Sequence, residues 1–442
     1  MLKAMNDHNK ILQAIDSHRG EAIEFLRRMV AFDSSTIHHG LDGQELAIQE
    51  WLAGVLRGWG LATRLFEPDN EKMKAYPDFS PGHSYRNRPN LVAVLAGQGR
   101  GKSLILNGHV DTMPAGDRSK WTHDPWGGEI ADGAMFGLGV CDMKAGVAAM
   151  ILATHFLCEA GFPPQGDVLI QSVVDEEGGG NGTLGCVVEG YRADAAIVTE
   201  PTRLHVQPAS RGVLLLEVAV EGRATHACLK WGGVNAIEKG MKIIQGMIEL
   251  ERLWLATRRH PLFPPPTITI GQIDGGLAGS QVPGECILKF DVKYLPVEMD
   301  RDSRGRPNNA DMVKTEVVEW IRMICAGDPW LRAHPPALSW YQHCIPHYLD
   351  PKHPLVGMMS GATEAVRGWS MISGFPAGCD ARHLQNKADI PTIIFGPGDL
   401  QYAHSIDERV SVQEYLDAIK ILALTIHDWT SEQAASQHGV TT

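Results

Sequence analysis

The chain has 442 residues, 44% of them hydrophobic and 21% charged, so it is long enough for two or three domains and has the balance of a folded globular protein. Its 40 basic and 52 acidic residues leave a net charge of −12, which argues against nucleic acid and anionic membranes as partners. No stretch approaches the roughly 18 uninterrupted apolar residues that a membrane helix needs, the first residues lack a secretory apolar region, and the eight cysteines are scattered without a C-x-x-C pair. A reduced, cytoplasmic protein is therefore expected.

The first ninety residues read as helices with an intervening strand. Leu12, Ile15, Ile23, Phe25, Leu26 and Val30 form one helical stripe, and Leu46, Ile48, Leu52, Val55 and Leu56 another. "NLVAVLAG" and "SLILNGHVD" read as strands joined by the Gly-rich turn "GQGRG", and residues 121–141 as a loop with a short hairpin. A helix from Lys144 to about Ala160, the strand "GDVLIQSVVDEE", a short helix after Asn181 and the strand "AAIVTE" follow. Alternating strands and helices imply an α/β fold built on a mostly parallel, helix-covered sheet. From about Val206 the texture changes to alternating strands, "GVLLLEVAVEG", "TITIGQIDGG" and "ECILKFDVKYL", with helices near 235–255 and 310–325, as in an α+β insertion. The α/β texture then returns with helices near 354–367 and 411–428 around "PTIIFGPG". The expected division is a catalytic domain in two segments, 1–205 and 349–442, with an inserted α+β lid or dimerisation domain, 206–348.

Ligands of open α/β sheets gather at the carboxyl ends of the strands, and four such ends here carry metal-binding residue types. "NGHVDT" offers His109 and Asp111, "GVCDMKAG" offers Asp142, "VVDEEG" offers Glu176 and Glu177, and "VTEPT" offers Glu200; the later "GDLQYAHSIDERV" adds His404. Taken singly, a His-x-Asp pair is more often a satisfied polar pair, an Asp before a helix an N-cap, and paired glutamates a solvated face. Two histidines with several carboxylates form a mixed N/O set that suits zinc, cobalt or manganese better than calcium. Adjacent acids repel one another unless cations neutralise them. If extended, Glu176 and Glu177 would diverge, so that one could hold metal while the other serves as a base.

In order and spacing these residues resemble the zinc amidohydrolase and peptidase family of acetylornithine deacetylase, succinyl-diaminopimelate desuccinylase, aminoacylase and glutamate carboxypeptidase. The likeness runs from about residue 20 to 430 and is strongest to the deacetylase/desuccinylase branch. It implies two divalent metal ions, zinc first and cobalt or manganese as alternatives. His109 and Glu200 would hold different metals, Asp142 would bridge them, and Glu177 and His404 would complete the shells. Asp111 would orient His109, and Glu176 would be the general base acting on a metal-bridging water. His226 in "GRATHACLKWGG" matches a lid histidine that reaches a partner subunit's site in dimeric members, which implies a homodimer. At the substrate-binding positions where relatives have Asn before "VP" and, as a carboxylate clamp, Arg after "Asp-x", this chain has Gln281 and Lys293, and Lys cannot reproduce the bidentate fork of Arg. Arg382 in "FPAGCDARHL" is the expected contact for an anionic substrate group, with a salt bridge to Asp380 as the alternative. The implied function is deacylation of an N-acyl amino acid or related small amide. The alternatives are a metallo-carboxypeptidase or dipeptidase on the same site, and an inactive binding scaffold.

Overall fold

The computed structural model describes residues 2–38, 40–76, 78–296 and 310–433. The chain forms two compact units, Met1–Pro208 with Leu349–Ser373 and Cys379–Thr442, and Ala209–Tyr348 with Gly374–Gly378.

The first unit is built on a six-stranded mixed sheet. Its order is Thr392–Ile394, Ala195–Val198, Leu104–His109, Val168–Val173, Asn90–Leu95, Ala62–Phe66. The first four strands run parallel to one another, and the last two pairings, of Asn90–Leu95 with Val168–Val173 and of Ala62–Phe66 with Asn90–Leu95, are antiparallel. Strands 104–109 and 168–173 are buried at every position, as their unbroken apolar runs dictate for a sheet covered on both faces. The Gly-rich turn after Leu95 does not close a hairpin, because strand 168–173 lies between the two strands it joins.

Helix Ala145–Glu159 is apolar almost all round and crosses the core, packed against Val412–Ser431. Each of its larger aliphatic side chains contributes about 1.5–3 kcal/mol through burial. Among the described residues, the stretch Val140–Glu159 is long and apolar enough to cross a membrane, and 89% of its apolar window is buried inside the protein.

The second unit carries a four-stranded antiparallel sheet in the order Ile268–Gly275, Glu285–Tyr294, Gly212–Glu221, Ala337–Cys344. Strict alternation along 212–221 and 285–294 turns Leu214, Leu216, Val218, Leu288, Phe290 and Val292 onto helices Ala236–Thr257 and Ala310–Ala326. Residues 374–378 return to this unit from the distant chain, where Phe375 N donates to Ala209 O at 2.7 Å.

Candidate metal centre

The strand ends of the first unit converge on a cluster of acids and imidazoles. His109 terminates strand 104–109 and is 1% exposed, and its Nδ1 donates to the main-chain oxygen of Asp111 at 2.9 Å. The preceding Gly108 leaves room for the start of the core helix, since a Cβ there would lie 2.8 Å from Val147 Cγ2 and 2.9 Å from Met143 Cε. Asp142 sits at the entrance to that helix, next to a cis Asp142–Met143 peptide. Glu200 follows strand 195–198 and is buried.

These side chains form two donor groups, His109 with Glu176 and Glu200, and Asp142 with Glu177 and His404. In each, the three donor atoms lie within 4.8 Å of one another. Asp142 faces both groups. Its Oδ1 is 3.1 Å from His109 Nε2 and its Oδ2 is 3.4 Å from His404 Nε2. His404 Nε2 is also 2.8 Å from Glu177 Oε1.

Glu176 and Glu177 do fall into different groups, but not by strand alternation. The strand ends at Val173, Asp175 takes the left-handed conformation (φ 65°), and both glutamates lie in the turn that follows. The Asp111 carboxylate holds this turn, accepting from Glu176 N at 3.2 Å and Glu177 N at 3.1 Å. It was expected to orient His109. It stands 3.5 Å from Nδ1, and the shorter contact to the ring comes from the residue's main-chain oxygen.

The three glycines after the acids serve close approach. A Cβ on Gly178 would lie 2.2 Å from Asp175 Oδ1, one on Gly179 2.1 Å from Ser80 Oγ, and one on Gly180 2.5 Å from Asp380 Oδ1.

Burial, reinforced by Asp142 and Glu176, pushes the Glu200 carboxyl well above the usual range. Burial likewise raises Glu176 strongly, with Asp380, Glu177 and Asp142 adding to the shift and His109 opposing it. Burial disfavours charge on His109, but the Asp142 hydrogen bond and the Asp111 and Glu200 charges hold its pKa well above normal. Hydrogen bonds donated to Asp142 and Glu177 lift His404 to about 11. By itself the cluster is short of positive charge. Two imidazoles distributed among four carboxylates, with one carboxylate facing both groups, fit a pair of divalent cations.

Glu408 was not anticipated. It is 2% exposed and accepts three main-chain N–H groups, from Gly139 at 2.8 Å, Cys141 at 2.8 Å and Asp142 at 3.0 Å. Burial pushes its carboxyl up to about 7. It thus ties the chain segment of His404 to the backbone of Asp142. The available signal was a glutamate four residues after His404 in an otherwise loop-like stretch.

The expected substrate contacts are distributed differently. Arg382 is 4% exposed and donates to the main-chain oxygens of Cys379 at 3.0 Å and Gly179 at 2.6 Å, which makes it a brace for the Gly-rich turn. Asp380 accepts from Thr183 Oγ1 at 2.7 Å, and burial raises its carboxyl to about 6. His226, Gln281 and Lys293 belong to the second unit. His226 and Gln281 pair across two short strands, and the exposed His226 caps the following turn by accepting from Cys228 N at 3.2 Å. Lys293 Nζ lies 2.9 Å from Asp291 Oδ2.

The family model described as peptidase family M20/M25/M40 matches residues 105–428. The chain belongs to this family. Its M20 relatives include the N-formyl-4-amino-5-aminomethyl-2-methylpyrimidine deformylase of Bacillus subtilis (strain 168), 31% identical, with 95% of this chain and 97% of that one covered. The acetylornithine deacetylase of Erwinia tasmaniensis is 28% identical, with 92% and 97% covered. Among solved structures, a dinuclear metal-binding M20 peptidase from Bacillus subtilis has the same fold, with a TM-score of 0.62, 14% identity and 94% and 99% of the two chains covered. The protein is thus an M20 hydrolase of linear amide bonds.

Proposed function

We propose that this protein is a two-metal deacylase that removes a small acyl group, formyl foremost, from an amine. The observation that carries the reading is Asp142, whose two oxygens face His109 and His404 in two separate donor groups. His109 and Glu200 would hold one cation, Glu177 and His404 the other, and Asp142 would serve both. Bound there, two divalent cations, zinc first and cobalt or manganese as alternatives, would supply Lewis acidity toward the acyl oxygen and a lowered water pKa.

Glu176 is the general base. It takes a proton from the attacking water and delivers it to the leaving nitrogen. Glu177 is engaged by His404, whereas among the described residues no hydrogen bond reaches the Glu176 carboxylate. Asp111 keeps the two glutamates apart by gripping their backbone.

Two features support an amine lacking a carboxylate. Arg382 is committed to main-chain oxygens and Lys293 to Asp291, so neither expected clamp offers an uncommitted cation. The formylated aminomethylpyrimidine in the name of the Bacillus subtilis relative is the compound to assay first. The reading includes a cytoplasmic homodimer formed through the second unit as lid. It is supported by the exposed apolar side chains Trp231 (82%) and Leu277 (93%), each a few residues from the His226–Gln281 pair.

The test is a panel of this formyl compound, N-acetylornithine and dipeptides, run before and after chelation. Chelation is expected to abolish turnover and added zinc, cobalt or manganese to restore it. Glu176→Gln should lower kcat by about 10²–10⁴-fold with bound metal unchanged. Turnover that survives complete metal removal, or dipeptides cleaved faster than the formyl compound, would reject this reading.

A further inference from the structure

The third acid of "VVDEEGGG" does not join the donor groups. Asp175 is fully buried and its carboxylate faces the segment Ser80–Arg88. His83 Nδ1 is 2.9 Å from both of its oxygens, and the Tyr85 hydroxyl donates to Oδ2 at 2.5 Å. Asn181 Nδ2 in turn donates to the Tyr85 oxygen at 2.7 Å. Behind them Arg88 forks onto Glu45 and reaches the Gly40 carbonyl at 3.1 Å, while Gly40 backs onto Gly178 so closely that a Cβ would lie 2.4 Å from it.

Asp175 is the residue whose φ of 65° turns the chain out of the strand, so that the next two N–H groups meet Asp111 and the next two side chains enter different donor groups. A left-handed non-glycine residue costs on the order of 1 kcal/mol or more and persists only where its surroundings over-determine it. A buried His, Tyr and Asp set, with Arg88 Nη2 3.8 Å from Asp175 Oδ1, is a costly way merely to stabilise a turn, since apolar packing does that without desolvating charges. What the set does supply is direction. We infer that His83 and Tyr85 are positioning residues for the hydrolysis, clamping Asp175 so that Glu176 is aimed at the reacting water while Glu177 stays with its own group. The inference rests on the role proposed above for Glu176.

A double-mutant cycle tests it. Tyr85→Phe removes the hydroxyl that donates to Asp175 and is expected to lower kcat about 10–100-fold, with KM changed less than about threefold and bound metal unchanged. In the residual activity of Glu176→Gln, the same change should cost less than about twofold, because there is no base left to aim. A general weakening of the fold would instead cost the same factor in both backgrounds, and that result overturns the inference. His83→Phe should match Tyr85→Phe, while His83→Asn, which keeps a nitrogen donor at the same bond distance from Cα, should recover most of the rate. Failure of Asn to recover it, or metal loss in step with rate loss, also overturns the inference. An unchanged rate in Glu176→Gln overturns the assignment of the base and this inference with it. A collapsed rate there, with an undiminished loss from Tyr85→Phe, overturns this inference alone.

Discussion

His109 and His404 hold equivalent places in the two donor groups, yet one is 1% exposed at the end of a core strand and the other 48% exposed on a loop in a left-handed conformation. The first needs little help, because strand 104–109 is paired on both sides and its ring is fixed two residues further along the chain. The second is held at a distance by Glu408, which binds its loop to the amides of Gly139 and Cys141 and to that of Asp142 itself. Comparable placement can thus come from a rigid strand end or from one buried carboxylate bracing two irregular segments.

The difference can be broken by removing each histidine. Both His109→Ala and His404→Ala should reduce turnover at least about 10³-fold, but their effects on the metal-free fold should part. His109→Ala leaves the buried Asp142 and Glu200 and the half-buried Glu176 without their nearest cation and should cost on the order of 3 kcal/mol in urea unfolding. His404→Ala, at a half-exposed position, should cost less than about 1 kcal/mol while losing one of the two proposed metals. Equal costs would mean that exposure does not govern the asymmetry.

A smaller effect sharpens the contrast. Glu408→Gln should weaken metal binding about 10–100-fold at the His404 group, with the His109 group little changed, as measured by competition with a chelating dye.

The smallest expected effect comes from a third set of similar chemistry, His8, His427 and Asp428, in which Asp428 Oδ1 lies 2.9 Å from a nitrogen of each ring. The Asp428 hydrogen bond raises the His8 pKa, so its contribution is full below about 6.5 and is lost as pH rises through the raised value. Asp428 is lowered to about 2, because the two histidines outweigh its burial. Its contribution is therefore present above about 4 and lost as pH falls toward 2. His8→Ala should thus cost about 0.5 kcal/mol between pH 4 and 6.5 after solvent screening, almost nothing at pH 9, and no activity.

Much of this was legible in the sequence, for reasons that also mark where legibility stops. Strands 104–109 and 168–173 and helix 145–159 declare themselves because burial on all sides demands continuous apolar runs. Strand Ala337–Cys344 does not, because it lies at the sheet edge with Ser339, Tyr341 and Gln342 exposed. The donor residues stand out because strand ends, helix entrances and their residue types coincide. The Asp111 carboxylate, Glu408, His83 and Tyr85 act through long-range contacts to turns and amides, and no local periodicity records those. The separation of Glu176 from Glu177 was anticipated by pleat geometry, but a left-handed Asp175 and a gripped backbone bring it about.

The interrupted course of the first unit bears on how the protein is made. Glu200 has been synthesised long before His404, and roughly two hundred residues, the whole of the second unit among them, emerge in between. At roughly 5–20 residues per second that is about 10–40 seconds on the ribosome, during which a nascent chain carries the acids without the last imidazole or the Glu408 brace. Cation capture by the full donor set is therefore expected to be a late event of biogenesis, following release of the final helix.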